Sequence, residues 1–231
     1  MPINYLDGPR FRRVVIGGAD WVRHTREQIN AINVFPVADG DTGTNMALSL
    51  SATAAALREL NGTRALGSVA RVAAEASILG AKGNSGLILA HWFLGLSQAI
   101  GDRPRVPMPD FVDCLGHASS AAHDALETPV EGTIITVMRA TSDAARQAAA
   151  AGHDLAGLAE TLLAAARRAL ARTPEQLAVL REAHVVDAGA QGYVNFLDGA
   201  LRVIRGEPLP QAAESGRLGI PAHPPVSAEE I

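Results

Sequence analysis

The sequence predicts an all-α protein in which the helices form an up-and-down bundle. Apolar residues make up 48% of the 231 residues and aromatic residues only 4%, with alanine prominent throughout. Because alanine has the highest helix propensity, this composition favours closely packed helices. Apolar residues recur with the spacing of a helix, and little of the chain alternates as a half-buried strand would. The length is sufficient for one full-sized hydrophobic core.

Eight helices follow from this periodicity. The predicted spans are about 9–31, 44–60, 66–79, 84–100, 110–126, 133–151, 155–171 and 190–205. Asn61-Gly62 and Gly101 mark the ends of the second and fourth helices, since Asn and Gly are common just beyond helix C-termini. Thr173-Pro174-Glu175-Gln176 has the pattern of an N-cap, a first-turn proline and a capping box. We interpret this segment, up to about residue 183, as a kinked continuation of the seventh helix.

The composition divides the chain into a helical domain over residues 1–205 and a proline-rich segment over residues 206–231. Five prolines fall in this second segment, within a polar stretch that lacks helical or strand periodicity. Such a composition is typical of a tail or of a linker. It is compatible with a natural C-terminus and equally with a connection to a further domain.

The net charge and the cysteine content of the chain exclude several classes of protein. With 20 basic and 24 acidic residues, the formal charge of -4 gives no electrostatic reason to expect nucleic acid or an anionic membrane as a partner. The lone cysteine, Cys114, excludes an intramolecular disulfide framework. The most apolar run, Gly86–Leu96, is too short for a membrane span, and the first residues do not resemble a signal peptide. We therefore expect a cytoplasmic protein without a transmembrane segment.

The segment Asn33–Met46 contains the most informative pattern. Asp39 and Asp41 stand two residues apart on a glycine-rich turn that opens directly into the second predicted helix. Two carboxylates at this spacing can direct oxygen ligands at one hard cation. The N–H groups and the dipole of the following helix start can hold a phosphate beside that cation. The segment therefore predicts a metal-phosphate site, although a plain turn with an Asp cap has the same local pattern.

Two known loop types do not fit this segment. An EF-hand needs ligands where Gly43 and Leu50 stand. A Walker P-loop needs Gly-Lys followed by Ser or Thr, a tripeptide that the chain lacks.

The seven histidines show no metal-binding spacing.

Three further polar turns precede the fourth, sixth and eighth helices: Gly80–Gly86, Glu131–Thr133 and Asp187–Gly192. In an up-and-down bundle with short loops, alternate helices begin at the same end. All four turns are then expected at one rim, where several helix N-termini are available to bind a polyanion. This inference fails for the last turn if the chain reverses at Pro174. Each turn alone is compatible with an ordinary helix start, and Lys82 with a solvated loop lysine.

With these motifs in place, the chain resembles the nucleotide-binding L-type domain of the dihydroxyacetone kinases. The resemblance covers roughly residues 6–205 and rests on Asn33–Met46, Gly83–Gly86, Glu131–Thr133 and Val186–Gly189, in the family's order. The lead-in Asn-Val-Phe-Pro-Val at residues 33–37 is similar, more narrowly, to the bacterial fatty-acid kinase branch. The resemblance implies an eight-helix barrel that binds ATP through magnesium at one end.

The resemblance also implies roles for individual residues. Asp39 and Asp41 correspond to the catalytic, metal-binding carboxylates. The family pattern has a third aspartate upstream, for which the nearest candidate here is the uncharged Asn33, one residue out of register. Where many relatives carry arginine, Lys82 keeps the charge but not the planar fork. The implied nucleotide-binding residues are Thr42, Gly43, Thr44, Asn45, Lys82, Asn84, Ser85, Gly86, Gly132, Thr133 and Asp187.

The implied activity is phosphoryl transfer that depends on ATP and Mg²⁺. In the fatty-acid kinase branch the acceptor is a fatty acid presented by a DegV-type lipid-binding protein, and the product is an acyl phosphate. Three alternatives stay open: the ATP-binding subunit of a dihydroxyacetone kinase, a nucleotide-binding regulatory module without chemistry, and a helical scaffold whose polar turns are only caps. Larger family members carry further domains after this one, so we expect either part of a longer protein or a stand-alone form.

Overall fold

A computed structural model describes residues 3–62 and 64–209, and these residues form eight long helices and two short ones. The long helices are α1 (Gly8–Asn30), α2 (Thr42–Glu59), α3 (Leu66–Gly80), α4 (Gly83–Ile100), α5 (Met108–Asp124), α6 (Ile134–Ala150), α7 (Leu155–Ala171) and α10 (Ala188–Arg205). The short helices are α8 (Thr173–Gln176) and α9 (Ala178–Glu182). The all-α prediction is confirmed, and each long helix begins and ends within about two residues of its predicted bounds.

The eight long helices close into a barrel. Each packs against the next in the chain, and α10 packs against both α7 and α1, so the ring has no open edge. Neighbouring helices run antiparallel because their connections are short. At the α1–α10 contact the backbones touch: a Cβ on Gly199 would lie 2.6 Å from the carbonyl oxygen of Gly17. Only glycine permits so close an approach.

Aromatic side chains fill part of the barrel interior. Trp92 and Phe93 on α4 meet Tyr193 and Phe196 on α10, with ring centroids 6.0–6.5 Å apart in edge-on arrangements. Edge-to-face contacts of this kind stabilise beyond the area that they bury. Since α4 and α10 are not neighbouring helices of the barrel, these aromatic side chains connect opposite walls.

Two short strands, which the sequence pattern did not predict, lie at the end of the barrel where α1 and α5 begin. β1 (Tyr5–Asp7) pairs antiparallel with β2 (Arg105–Pro107), and the paired residues Leu6 and Val106 are fully buried. Three residues are too few to establish an alternating pattern, and the pairing spans about a hundred residues of chain.

The segment after α7 corrects a sequence-based expectation. It is not a kinked continuation of α7 but forms the separate helices α8 and α9, divided by Leu177 in an extended conformation. Pro174 cannot continue the preceding helix but suits the first turn of a new one. Of the predicted proline-rich segment 206–231, residues 210–231 lie outside the described residues. Within the described ranges, no helix is both long and apolar enough to cross a bilayer.

Candidate functional site

The four polar turns meet at one end of the barrel, which we call the rim. Because neighbouring helices are antiparallel, α2, α4, α6 and α10 all begin there. Two adjoining cavities open at the rim and share Phe35, Pro36, Asn84 and Ser85. The first, the carboxylate cavity, has a volume of about 220 Å³ and is lined further by Asn33, Val37, Asp39, Asp41, Thr42, Asn45 and Gly83. The second, the inner cavity, has a volume of about 250 Å³ and is lined further by Ile88, Leu126, Thr128, Val130, Thr133, Ile134, Asp187 and Gly189.

Asn33 organises the loop that carries the two carboxylates. Its buried side-chain oxygen accepts hydrogen bonds from the backbone N–H groups of Asp41 (3.2 Å) and Thr42 (3.1 Å) and from the Thr42 hydroxyl (2.8 Å). Its Nδ2 donates to the carbonyl oxygen of Val37 (2.9 Å). Three donors already occupy the oxygen that the sequence offered as a third metal ligand.

Asn33 thereby replaces Asp41 as the cap of α2. Asp41 stands at the N-cap position, yet its side chain makes no capping hydrogen bond. The preceding residue, Gly40, has a φ of +68°, a left-handed conformation that glycine adopts without strain. As a result both Asp39 and Asp41 are exposed at the carboxylate cavity, and the Asp41 carboxylate is not used in capping.

Two of the predicted nucleotide-binding residues face α1 rather than the cavity. Asn30 holds Thr44 by two hydrogen bonds, from the Thr44 N–H (3.1 Å) and to the Thr44 hydroxyl (3.0 Å). A Cβ on Gly43 would lie 2.1 Å from the carbonyl oxygen of Arg26. Gly43 and Thr44 therefore fix α2 against α1, and the N–H groups of Asp41, Thr42 and Thr44 are already engaged.

At the start of α4, in contrast to α2, the backbone N–H groups are not capped by a side chain. No side chain caps this helix at Lys82, and Asn84 and Ser85 line both cavities. The first N–H groups of a helix have no partner within it, so those of α4 are available to an anion at the rim. The exposed Lys82 and the buried Gly86 line neither cavity, and Gly86 packs against Ser49.

The starts of α6 and α10 are joined by Asp187. This carboxylate, 4% exposed, accepts a hydrogen bond from the N–H of Ala190 (2.8 Å) and another from the backbone of Ile134. Burial raises the pKa of Asp187 to about 6, although both hydrogen bonds favour the charged form. Asp187 is thus a buried cap at the wall of the inner cavity.

In the Glu131–Thr133 turn, one residue lines the inner cavity and the other two contact neighbouring elements. Thr133 lines the inner cavity and donates its hydroxyl to the carbonyl oxygen of Val130 (2.7 Å). Gly132, with a φ of +82°, packs against α8 instead. Glu131 binds the guanidinium of Arg139 through both carboxylate oxygens (2.7 and 2.8 Å), and this hydrogen bonding lowers the pKa of Glu131.

The donor set of the carboxylate cavity suits Mg²⁺. The described residues contain no group of three or more His, Cys, Asp or Glu side chains placed to hold a metal ion, and the carboxylate cavity is lined by the two carboxylates of Asp39 and Asp41. Mg²⁺ is commonly bound by one or two carboxylates, with waters and substrate phosphates completing its six ligands. Two carboxylates beside an uncapped helix start fit this pattern.

Sequence reasoning did not identify several residues that shape the cavities. Phe35 and Pro36 line both cavities. In the sequence they were identified only as part of the motif at residues 33–37 that precedes the two carboxylates, and no role at the site was predicted for them. Leu126, Thr128 and Val130 also line the inner cavity. All three lie in the connection before α6; the predicted fifth helix extended to Leu126, and no periodicity or motif indicated Thr128 and Val130.

Comparisons with known proteins agree with this architecture. A DAK2 domain model matches residues 36–202. Protein YloV of Bacillus subtilis is 37% identical over 213 residues, covering 92% of this chain and 38% of YloV. An uncharacterized protein of Staphylococcus saprophyticus is 34% identical over 216 residues, covering 94% of this chain and 39% of that protein. The chain thus spans less than two fifths of the length of these curated relatives.

Two solved structures share the fold. The native dihydroxyacetone kinase of C. freundii matches with a TM-score of 0.62 at 15% identity, over 83% of this chain and 34% of the kinase chain. The dihydroxyacetone kinase from C. freundii in complex with AMP-PNP and Mg²⁺ matches with a TM-score of 0.61 at 16% identity, over 83% and 33%. The family model covers most of the chain, from the carboxylate loop to the last helix, and the chain therefore belongs to the DAK2 domain family.

Proposed function

We propose that this chain binds ATP with Mg²⁺ at the rim and supplies the phosphoryl donor in a kinase reaction. The observation that carries the proposal is the carboxylate cavity, where Asp39 and Asp41 lie opposite the uncapped start of α4. A cation site beside free helix N–H groups is the arrangement that a metal-bound polyphosphate requires. The solved complex of the C. freundii kinase with AMP-PNP and Mg²⁺ supports the choice of ligand.

The proposed roles follow the geometry. Asp39 and Asp41 hold Mg²⁺, which when bound would neutralise phosphate charge during transfer. Asn84 and Ser85 bind phosphate oxygens through the start of α4, while the side chains of Thr42 and Asn45 lie on the opposite wall. Lys82 contributes a positive charge near this turn.

The remaining predicted residues have supporting roles in this proposal. The inner cavity, walled by Thr133 and Asp187, takes the rest of the nucleotide. We assign Asn33 to holding the loop rather than to the metal, because its oxygen is fully engaged. Gly43, Thr44, Gly86 and Gly132 are assigned to the close packing that places the lining residues.

The acceptor that we propose is a fatty acid carried by a DegV-type partner. A carboxylate oxygen of the acid attacks the γ-phosphorus of ATP, ADP leaves, and an acyl phosphate forms. The lead-in at residues 33–37 supports this branch of the family. So do the exposed large apolar side chains of the described residues, all of which lie near the rim: Val37, Leu48, Ile78, Leu79 and Leu87. Leu79 is 88% exposed, and apolar surface of this kind commonly marks a protein contact.

The test of nucleotide binding is a calorimetric titration of ATP with and without Mg²⁺. We expect binding that depends on Mg²⁺ in the wild type and at least about tenfold weaker binding in Asp39→Asn and in Asp41→Asn, because each loses a charged metal ligand. Asp102→Asn is the matched control, since Asp102 is 91% exposed and lies at the opposite end of the barrel. Wild-type protein that binds no ATP in the presence of Mg²⁺ would refute the proposal.

A second experiment distinguishes the acceptors. The protein, ATP and Mg²⁺ are combined with an acyl-loaded DegV-type protein or with dihydroxyacetone and its binding subunit. Acyl phosphate in the first mixture supports the fatty-acid kinase assignment. ADP release that depends on the triose supports a dihydroxyacetone kinase subunit, which the shared fold favours. Tight ATP binding without transfer to either acceptor identifies a regulatory module.

A further inference from the structure

A buried hydroxyl links the two halves of the carboxylate cavity. Ser49 lies in α2, one turn beyond Asn45, and is 3% exposed. Its Oγ donates to the carbonyl oxygen of Asn45 (2.8 Å) and accepts a hydrogen bond from the backbone N–H of Lys82 (2.9 Å). The first bond is the ordinary back-bonding of a serine within a helix. The second bond joins α2 to the turn from which α4 begins.

The two elements that this bond joins are those that carry the proposed ligands. The loop before α2 bears Asp39 and Asp41, whereas the start of α4 presents the N–H groups of Asn84 and Ser85. In the chain α3 lies between α2 and α4, yet α2 and α4 also contact each other directly, so these contacts rather than the sequence connection set the spacing of the two walls.

Ser49 packs in close contact with the backbone of α4 at Gly86. A Cβ on Gly86 would lie 2.4 Å from the Ser49 Oγ and 3.3 Å from the Ser49 Cβ. The first distance is too short for any side chain, so the α4 backbone rests directly on the hydroxyl group. The Ser49 hydroxyl therefore acts both as a hydrogen-bonded link and as a spacer.

We propose that Ser49 is a positioning residue that sets the distance between the carboxylates and the start of α4. The inference rests on the proposed function, since it assumes that Mg²⁺ is held by one wall and phosphate by the other. A ligand that engages both walls at once requires the correct separation, whereas a ligand held by one wall does not. The benefit of Mg²⁺ for ATP binding should therefore depend on Ser49.

The experiment compares the affinity for ATP with and without Mg²⁺ in the wild type and in Ser49→Ala. We expect the ratio of the two affinities to fall about tenfold in Ser49→Ala, which is the size of effect of one well-formed hydrogen bond. Thr53→Ala is the matched control, because Thr53 lies one turn further along α2, is fully buried and bonds Ser77 on α3 (2.8 Å). Its only hydrogen bond to Ser49 goes to the backbone carbonyl (3.3 Å) and leaves the Ser49 hydroxyl untouched. This control variant should lower the unfolding temperature without changing the ratio.

A second pair of variants tests the spacer role. Gly86→Ala should weaken Mg²⁺-dependent binding, because its Cβ collides with the Ser49 Oγ. Combining it with Ser49→Ala removes the colliding atom, so the double variant should lose less than the two single effects together. If Ser49→Ala does not fold, Gly86→Ala by itself tests the spacing, because its Cβ pushes the start of α4 away from the same hydroxyl.

The outcomes separate the two proposals. If the wild type binds ATP with Mg²⁺ and Ser49→Ala keeps the wild-type ratio, the positioning role is refuted and the proposed function stands. An equal fall of the ratio in Thr53→Ala also refutes the positioning role, because it indicates a general loss of stability. If the wild type shows no binding that depends on Mg²⁺, the proposed function fails and the inference fails with it.

Discussion

Replacing Asn33 by alanine should separate the organisation of the carboxylate loop from its charge. The substitution removes all four hydrogen bonds that the Asn33 side chain makes, including those from the N–H groups of the N-cap residue Asp41 and of Thr42, the first residue of α2. Asp41 stands at the N-cap position with its carboxylate unused in capping. Without Asn33, the loop no longer holds Asp41 in its present orientation, and an aspartate at the N-cap position can accept a hydrogen bond from the N–H of the second or third helical residue. We expect the carboxylate to turn toward its own helix and away from the cavity.

The size of the effect follows from the contacts. Loss of a helix cap costs about 0.5–2 kcal/mol, and the remaining bonds are only partly buried, so water compensates for much of their loss. We expect the free energy of unfolding to fall by about 1–3 kcal/mol. At about 2 kcal/mol, the melting temperature of a chain of this length falls by about 4–8 °C. Loss of a residue that orients metal ligands typically weakens metal binding by about 10–100-fold, and we expect a change of that order in Mg²⁺-dependent ATP binding.

The assays are urea denaturation and calorimetric titration of ATP with Mg²⁺. Asn33→Asp is the matched variant, because it keeps an acceptor for the N–H groups of Asp41 and Thr42 while losing the bond to Val37. It should retain more stability than Asn33→Ala. If Asn33→Ala unfolds at the wild-type urea concentration and binds Mg²⁺ and ATP within about twofold of the wild type, Asn33 does not organise the loop.

Two further predictions concern packing and pH. Gly43→Ala should cost about 1–3 kcal/mol of stability, because its Cβ meets the backbone of Arg26 at 2.1 Å; Gly62→Ala, with nothing within 4 Å, should cost only the strain of its positive φ. Equal losses in urea denaturation would contradict the close approach of α1 and α2. Because burial raises the pKa of Asp187 from 3.8 to about 6, the folded protein keeps a proton that the unfolded chain has lost between about pH 4 and pH 6. The free energy of unfolding should therefore fall by up to about 3 kcal/mol as the pH rises through this window and stay level above it. Asp187→Asn should lack this slope, and parallel pH profiles of the two proteins would show that Asp187 is not the titrating group.

Local signals in the sequence were sufficient to predict the helices and the end of the barrel at which the four polar turns meet. Helix periodicity and end signals such as Asn61-Gly62 act within a few residues of each other, so they predicted the eight long helices to within about two residues. Because neighbouring helices in a bundle alternate in direction, the positions of the four polar turns in the chain also predicted that they share one end. That prediction holds since α8 and α9 leave α10 antiparallel to α7 and beginning at the rim.

Only the tertiary structure decided which residues of each motif face the cavities. Glycines in the motifs pointed to close approach, but a sequence does not show whether the approaching group is a phosphate or another helix. At Gly43 and Gly86 the close neighbours are Arg26 and Ser49. The role of Asn33 as the cap of α2 was equally hidden, because its partners lie eight and nine residues away in an irregular loop.

Ring closure and the pairing of β1 with β2 depended on contacts between distant parts of the chain. The glycines of α1 and α10 that meet at the seam are more than 180 residues apart in sequence, and no local pattern records their complementarity. The sequence by itself determined the helices, their order and the end of the barrel that gathers the polar turns, because those depend on short-range hydrogen bonding and periodicity. The tertiary structure determined which polar atoms remain available to a ligand, because that depends on which neighbours have already engaged the others.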